Sequence, residues 1–292
     1  MNSKLVNKVS NRWLLLAGFA TFMLAVITVN QHAFAAGIAD TRHNLGSTNV
    51  IVGGNRTTDT AEICVFCHTP HFSAVGADKP PLWNKRLGAG GLPPGGGTYS
   101  QYTTATSSTI SGEVLAVGSV SVACLSCHDG TQAMDNIINA PGSGGIDTTG
   151  GGNGGLNWTW FGSGVGATGL MTGAAGLIGT DLVNDHPIGI EYCGGGISGT
   201  TNTTGCTDQD FKGGSTTGLN YASINTFPVW WVDTGGAGTR EKTDMILYTR
   251  AFAAGAGPAV ECASCHDPHS TNATFLRTSN AGSAVCLACH VK

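Results

Sequence analysis

The amino-acid sequence predicts a mostly irregular fold, made of loops with few short helices and strands. Of its 45 glycines, 44 lie in the 257 residues that follow position 35, and charged residues make up 11% of the whole chain. No long apolar stretch in those residues repeats with the period of a helix or a strand. Because glycine loses more backbone freedom on folding than any other residue, the chain needs a source of cohesion besides an ordinary side-chain core.

The N-terminal segment has the layout of an export signal. Lys4, Lys8 and Arg12 precede an apolar run of 17 residues from Trp13 to Val29, and Ala33-Phe34-Ala35 provides the small residues of a cleavage site. An uncleaved membrane anchor is the alternative, since such a run stands at the short end of what spans a bilayer. We expect cleavage, because of the small-residue site.

The mature chain is then expected to be one secreted domain, residues 36–292, with no membrane insertion. Loss of residues 1–35 removes three basic residues and leaves 11 basic against 18 acidic ones, a net charge of −7. Nucleic acids and anionic membrane surfaces attract basic patches, so this charge argues against both as partners.

Eight of the ten cysteines fall into four Cys-x-x-Cys-His units. Two thiols three residues apart on a helical turn lie on one face, so both can form thioethers with the edge of one porphyrin, and the adjacent histidine can ligate its iron. A zinc knuckle or a redox dithiol would not require a histidine after every pair. The units are Cys64-Val65-Phe66-Cys67-His68, Cys124-Leu125-Ser126-Cys127-His128, Cys262-Ala263-Ser264-Cys265-His266 and Cys286-Leu287-Ala288-Cys289-His290.

These units predict four covalently attached haems c, with His68, His128, His266 and His290 as proximal iron ligands. The predicted fold class is therefore a multihaem cytochrome c, organised around a chain of four c-type haems. Buried haem, a large apolar disc, supplies the missing cohesion. Cys193 and Cys206 are left over, and in an oxidising compartment they most simply form a disulfide; reactive thiols are the alternative.

The remaining histidines match the number of distal positions. Apart from the four proximal residues and His32 in the signal, the chain has His43, His71, His186 and His269, and four haems need four distal ligands. A lone histidine is more often an ordinary surface or core residue. The equal count favours ligation, and it predicts four low-spin, bis-histidine haems at low potential. Methionine ligands, which would raise the potential, are not needed, although Met134, Met171 and Met245 are present.

A repeated Cys-His-x-Pro-His unit strengthens this prediction. It occurs as Cys67-His68-Thr69-Pro70-His71 and as Cys265-His266-Asp267-Pro268-His269. The second histidine stays on the proximal side of its own ring, so we expect it to reach the iron of a neighbouring haem. Each unit should therefore bring two haems close together.

The haem motifs form two groups, in residues 36–130 and 259–292, separated by a Gly/Thr-rich middle, residues 131–258. His186 lies in this middle and must ligate a haem, so one domain is expected. Local patterns predict strands over Glu113–Val122 and Tyr221–Asp233, and a helix over Thr239–Ala254.

The chain resembles multihaem cytochromes c of anaerobic respiration, in particular the tetrahaem outer-surface cytochromes of the OmcE type that polymerise into conducting filaments. The four Cys-x-x-Cys-His units, the two Cys-His-x-Pro-His repeats, His43 before Asn-Leu and His186 before Pro-Ile-Gly carry the resemblance. It implies end-to-end contacts in a homopolymer at the cell surface, with redox proteins and extracellular electron acceptors as partners. It also implies that one subunit can supply a distal histidine to the next, for which His43 is the candidate.

Three functions therefore compete: a filament subunit for extracellular electron transfer, a monomeric periplasmic tetrahaem carrier, and a multihaem reductase. A reductase needs an iron with an open sixth position, and four capped haems would leave none. Extended Gly/Thr-rich surfaces with few charges suit permanent contacts better than transient docking, so the filament is favoured over the carrier.

Overall fold

A computed structural model describes residues 37–71, 73, 82–87, 98–142, 155–173, 176–197, 205–213 and 217–291. The chain divides into two compact units, Met1–Gly37 and Ile38–Lys292. The predicted export signal lies outside the described residues, and the following account concerns the second unit. Among the described residues no helix is long and apolar enough to cross a membrane.

A five-stranded antiparallel sheet is the largest regular element. Its strands are β3 (Ile190–Glu191), β4 (Leu219–Ile224), β5 (Phe227–Val232), β6 (Met245–Phe252) and β7 (Gly255–Val260), in the order β3-β7-β6-β5-β4. Asn225 and Thr226 form the two-residue turn between β4 and β5, both with positive φ (51° and 71°). Positive φ at both turn positions matches the right-handed twist of the two strands.

The other regular elements are short. Strands β1 (Arg56–Thr57) and β2 (Trp160–Phe161) form a separate antiparallel pair. Three α-helices are described: α1 (Ser121–His128), α2 (Cys262–Cys265) and α3 (Ala284–Leu287). Short 3-10 turns occupy Ile38–Asp40, Cys64–Phe66, Tyr192–Gly194, Ala273–Phe275 and Ala281–Ser283.

Two apolar clusters lie beside the haem motifs. The sheet cluster is centred on Trp230, Met245 and Leu247, and Cys265 and Cys289 pack against it. A disulfide joins Cys193 and Cys206 within the same cluster.

The N-terminal cluster contains Phe66, Met134 and Trp160, and Cys67 and Cys127 pack against it. Each cluster is therefore shared by two haem motifs. A smaller third cluster, centred on Leu125 of α1, includes Val122 and Leu182.

Two local predictions are wrong and one is confirmed. Residues 239–254 do not form a helix, because Met245–Phe252 is strand β6, with Met245 and Leu247 buried two residues apart. Residues 113–122 do not form a strand: Val114 makes an isolated bridge with Ile190, and α1 begins at Ser121. Strand structure around Tyr221–Asp233 is confirmed, as the β4–β5 hairpin.

Candidate haem sites

Each Cys-x-x-Cys-His unit forms a single helical turn. The histidine N–H donates to the carbonyl of the first cysteine at 2.8 Å for His68, 3.1 Å for His266 and 2.9 Å for His290, and His128 closes helix α1. This geometry places residues three apart on one face. The expected local conformation of the motifs is confirmed.

None of the eight motif cysteines, all of which are described, forms a disulfide, and those of neighbouring motifs lie close enough to influence one another. Burial, and then the charge of Cys127, raise the pKa of Cys67 to about 12. A hydrogen bond with Cys262, and then burial, raise the pKa of Cys124. The first motif therefore adjoins the second, and the second adjoins the third.

The third and fourth motifs are also neighbours. Burial, and then the charge of Cys265, raise the pKa of Cys289 to about 12. The Lys212 N–H also donates to the Cys289 carbonyl at 2.9 Å, and the Val291 N–H donates to Asp210 at 2.7 Å, which fixes the last motif against the segment that follows the disulfide.

Two pairs of imidazole rings face each other across the motifs. His68 of the first motif and His269 have ring centroids 6.3 Å apart and nearly parallel planes, at 13°. His128 of the second motif and His43 have centroids 6.1 Å apart, at 72°. Each pair combines a predicted proximal ligand with a predicted distal ligand.

The separation of both pairs fits two ligands of one metal. An imidazole nitrogen binds a metal at about 2 Å, and the ring centroid lies about 1 Å behind it, so imidazoles on opposite sides of one metal have centroids roughly 6 Å apart. Both centroid separations therefore equal the spacing expected for two imidazoles on one haem iron.

Backbone carbonyls orient several of these rings. His128 Nδ1 lies 2.6 Å from the Gly176 oxygen, and His266 Nδ1 lies 2.8 Å from the Thr274 oxygen. His43 Nδ1 lies 3.5 Å from the Pro268 oxygen. A ring that donates from Nδ1 to a carbonyl leaves Nε2 as the lone-pair nitrogen, which is the usual arrangement of a metal-ligating histidine.

Burial keeps the second pair neutral. Burial, followed by the nearby His128, lowers the pKa of His43 to about 4, and burial also lowers the pKa of His128. Neutral imidazole is the form that binds a metal.

His71 and His186 lie at the surface. The His71 carbonyl accepts hydrogen bonds from the Thr69 hydroxyl and the Asn139 amide, and His186 Nδ1 lies 2.9 Å from the oxygen of Pro187. The structure thus brings together two of the four predicted histidine pairs.

Several residues at these sites were missed by sequence reasoning. Phe275 stacks on His43 with centroids 4.1 Å apart, and Phe211 lies 4.3 Å from His290. Trp83 meets His68 edge-on at 6.0 Å. The carbonyls of Gly176 and Thr274 were missed as well, because a backbone acceptor leaves no mark on the residue type.

A buried polar network joins the second and third motifs. Arg250 forms an ion pair with Glu261, and the Ser121 hydroxyl donates to the other Glu261 oxygen at 2.5 Å. The Cys262 N–H donates to Ser121 at 3.0 Å, and Glu261 is fully buried. The start of α1 is therefore tied directly to the start of α2.

Among the described residues, no three histidine, cysteine or acidic side chains converge on one point as a bare metal ion would require. A haem needs only two thiols at its edge and one imidazole per face. The Cys-x-x-Cys-His turns and the paired imidazoles therefore fit covalently attached haem, the cofactor of the c-type cytochromes.

Comparison with known families supports the same class. Residues 255–292, which contain the third and fourth motifs, match the family described as a doubled CXXCH motif. The match supports a multihaem c-type cytochrome with covalently bound haem c, a class that typically carries electrons. No curated protein matches the chain.

Proposed function

We propose that this protein binds four bis-histidine haems c and conducts electrons through them, as the subunit of an extracellular cytochrome filament. The observation that carries the electron-transfer part is the two close pairs of imidazoles, His68 with His269 and His43 with His128. Both irons would be capped on both faces, which suits electron transfer rather than chemistry on a substrate.

The residues of the chain hold, orient and insulate the redox centres. Haem iron, when bound, supplies a one-electron redox couple. The paired cysteines would attach each porphyrin covalently. The carbonyls of Gly176 and Thr274 orient the imidazoles of His128 and His266, respectively, and increase their basicity. Two imidazole ligands favour low potentials.

The contacts between motifs support a continuous path. The N-terminal cluster is shared by Cys67 and Cys127, the polar network joins Ser121 to Cys262, and the sheet cluster is shared by Cys265 and Cys289. We infer an order of haems that follows the order of motifs in the chain.

His71 and His186 are the distal ligands left for the haems of His266 and His290. Both are exposed. Because the ring of His43 lies next to His128 of its own chain, we do not propose His43 as the ligand of a haem in a neighbouring subunit. In a filament, the exposed His71 and His186 are better placed for that role.

Surface composition supports a polymer of identical subunits. Val50, Val52 and Phe227 are 84%, 93% and 72% exposed, respectively. Apolar side chains at a surface with few charges favour lasting contacts, while transient carriers usually dock through charges. The expected partners are further copies of the chain, redox proteins, and extracellular electron acceptors.

The haem count and ligation are tested on the purified holoprotein. We expect the mass of the chain plus four haems and a low-spin spectrum in the ferric state. After reduction, carbon monoxide should leave the spectrum of the ferrous protein unchanged. Stoichiometric carbon monoxide binding would contradict four capped haems and would favour the reductase.

Electron microscopy of protein sheared from the cell surface tests the assembly. Ordered filaments with a continuous row of haems are the expected result, and they would also show which chain supplies each distal histidine. Discrete particles across a concentration series would instead favour a monomeric periplasmic carrier.

A further inference from the structure

Lys85 is a lysine whose side chain is completely buried. Its Nζ donates hydrogen bonds to the backbone oxygens of Ala133 at 2.7 Å and Met134 at 3.1 Å. In the described part of the chain it forms no ion pair with a carboxylate. Buried lysines are rare, and an unpaired one calls for an explanation beyond packing.

Hydrogen bonds connect the segment that carries Lys85 to the first haem motif. The Asn84 N–H donates to the Cys67 carbonyl at 2.8 Å, and the Asn84 amide donates to the Val65 oxygen at 2.6 Å. Trp83 contacts the ring of His68. The lysine that follows is therefore held beside the first attachment turn.

The ammonium end of the Lys85 side chain also lies beside residues that pack against the first haem motif. Met134, whose carbonyl binds Nζ, belongs to the N-terminal cluster against which Cys67 packs.

A fixed cation beside an iron centre favours its reduced form. Reduction adds one electron to the iron and breaks no bond, so a nearby positive charge lowers the free energy of the product. Water and salt screen a buried charge much less than an exposed one. Hydrogen bonds around a haem and its ligands, and the burial of the haem, are established means by which a protein sets haem potentials.

We propose that the buried positive charge of Lys85 raises the reduction potential of the haem attached to Cys64 and Cys67. This proposal rests on the proposed electron-transfer function. It makes the first haem a better electron acceptor than its bis-histidine ligation alone would.

The test is a spectroelectrochemical titration of the four-haem protein, with Lys85→Gln and Lys85→Met as variants. Gln keeps a hydrogen-bond donor and Met keeps the length of an apolar side chain, so their shared change is the loss of charge. We expect one of four components to move to a more negative potential in both variants, while the other three stay. The matched control is Arg240→Gln, which removes a charge from an exposed side chain and should move none.

Each remaining outcome decides against the proposal. Unchanged potentials in variants that keep four haems would overturn it and leave the electron-transfer function intact. Loss of the first haem in both variants would also overturn it, because Lys85 would then act in haem incorporation. A wild-type protein without four redox components would contradict the proposed function itself.

Discussion

The four histidines that we propose as distal ligands are the residues on which the proposed redox centres depend most directly. His43 faces His128 at 6.1 Å, with Phe275 stacked on its other side. We expect His43→Ala to leave all four haems attached, because attachment uses cysteines, and to open the sixth position of one iron. Carbon monoxide should then bind the reduced protein at about one per chain.

The matched control is Arg42→Ala, since Arg42 is the exposed neighbour of His43. It should bind no carbon monoxide. A His43→Ala protein that stays fully low-spin and inert to carbon monoxide would show that His43 is not an iron ligand.

At the residue scale, the sequence predicts the local part of each haem site and not the distant part. The motif conformation follows from four or five adjacent residues, as in the turn from Cys262 to His266. The rings of His68 and His269 lie close together although the two residues are 201 positions apart in the chain, so no local pattern encodes their contact. Equal numbers of histidines and vacant positions predicted that pairs exist, without predicting which histidines form them.

Among the elements, the junction of α1 and α2 depends on one buried carboxylate. Glu261→Gln leaves Arg250 without its counter-charge, and the loss of one partner of a buried pair costs about 3 kcal/mol. The low end of the usual range applies, because the Arg250 side chain remains 14% exposed and also donates to the Ala116 oxygen. For a chain of this size we expect the midpoint of thermal unfolding to fall by roughly 6 °C.

Circular dichroism of the holoprotein measures this change. Glu241→Gln is the control, since Glu241 is exposed and its loss should change the midpoint little. Equal midpoints for the Glu261 and Glu241 variants would mean that the polar network contributes nothing to the junction.

The disulfide at the edge of the sheet cluster has a structural role. Replacing Cys193 and Cys206 by alanine together releases a closure of 13 positions, and the loss of this constraint should cost roughly 3 kcal/mol. We expect a lower unfolding midpoint with an unchanged haem count and unchanged potentials. Thiol titration of the native wild-type protein should find no free cysteine; two reactive thiols would contradict the disulfide.

The elements that the sequence predicted wrongly show why local patterns fail here. Residues 239–254 contain apolar side chains at both helical and strand spacings. Strand β6 forms because it has a partner on each side, β5 and β7, and neither partner is visible in a local window. The β4–β5 hairpin was predictable, because its aromatic and β-branched residues lie on both sides of a two-residue turn.

At the scale of the whole molecule, net charge should control assembly. Without the predicted signal the chain has a net charge of −7, so the proposed subunits should repel one another at low ionic strength. The Debye length falls from about 30 Å at 0.01 M to about 8 Å at 0.15 M salt, so added salt should shift the protein from free subunits to polymer. Sedimentation across a salt series measures the polymer fraction.

Bovine serum albumin, which is also acidic but does not polymerise, serves as the control for non-specific salting-out. Dissociation of the polymer with rising salt would instead show that ion pairs hold the subunits together. That result would contradict an interface built on Val50, Val52 and Phe227.

The contact between His68 and His269 also means that the two proposed ligands of the first haem become available at different times. A chain that is synthesised and exported from its N-terminus presents the first attachment motif about 200 residues before His269 is available. Until then, the first iron would have one protein ligand and would be open to small molecules such as oxygen or carbon monoxide. With the proposed ligation, the newly exported chain would therefore be chemically more reactive than the finished protein, and the arrival of residue 269 would end that reactivity.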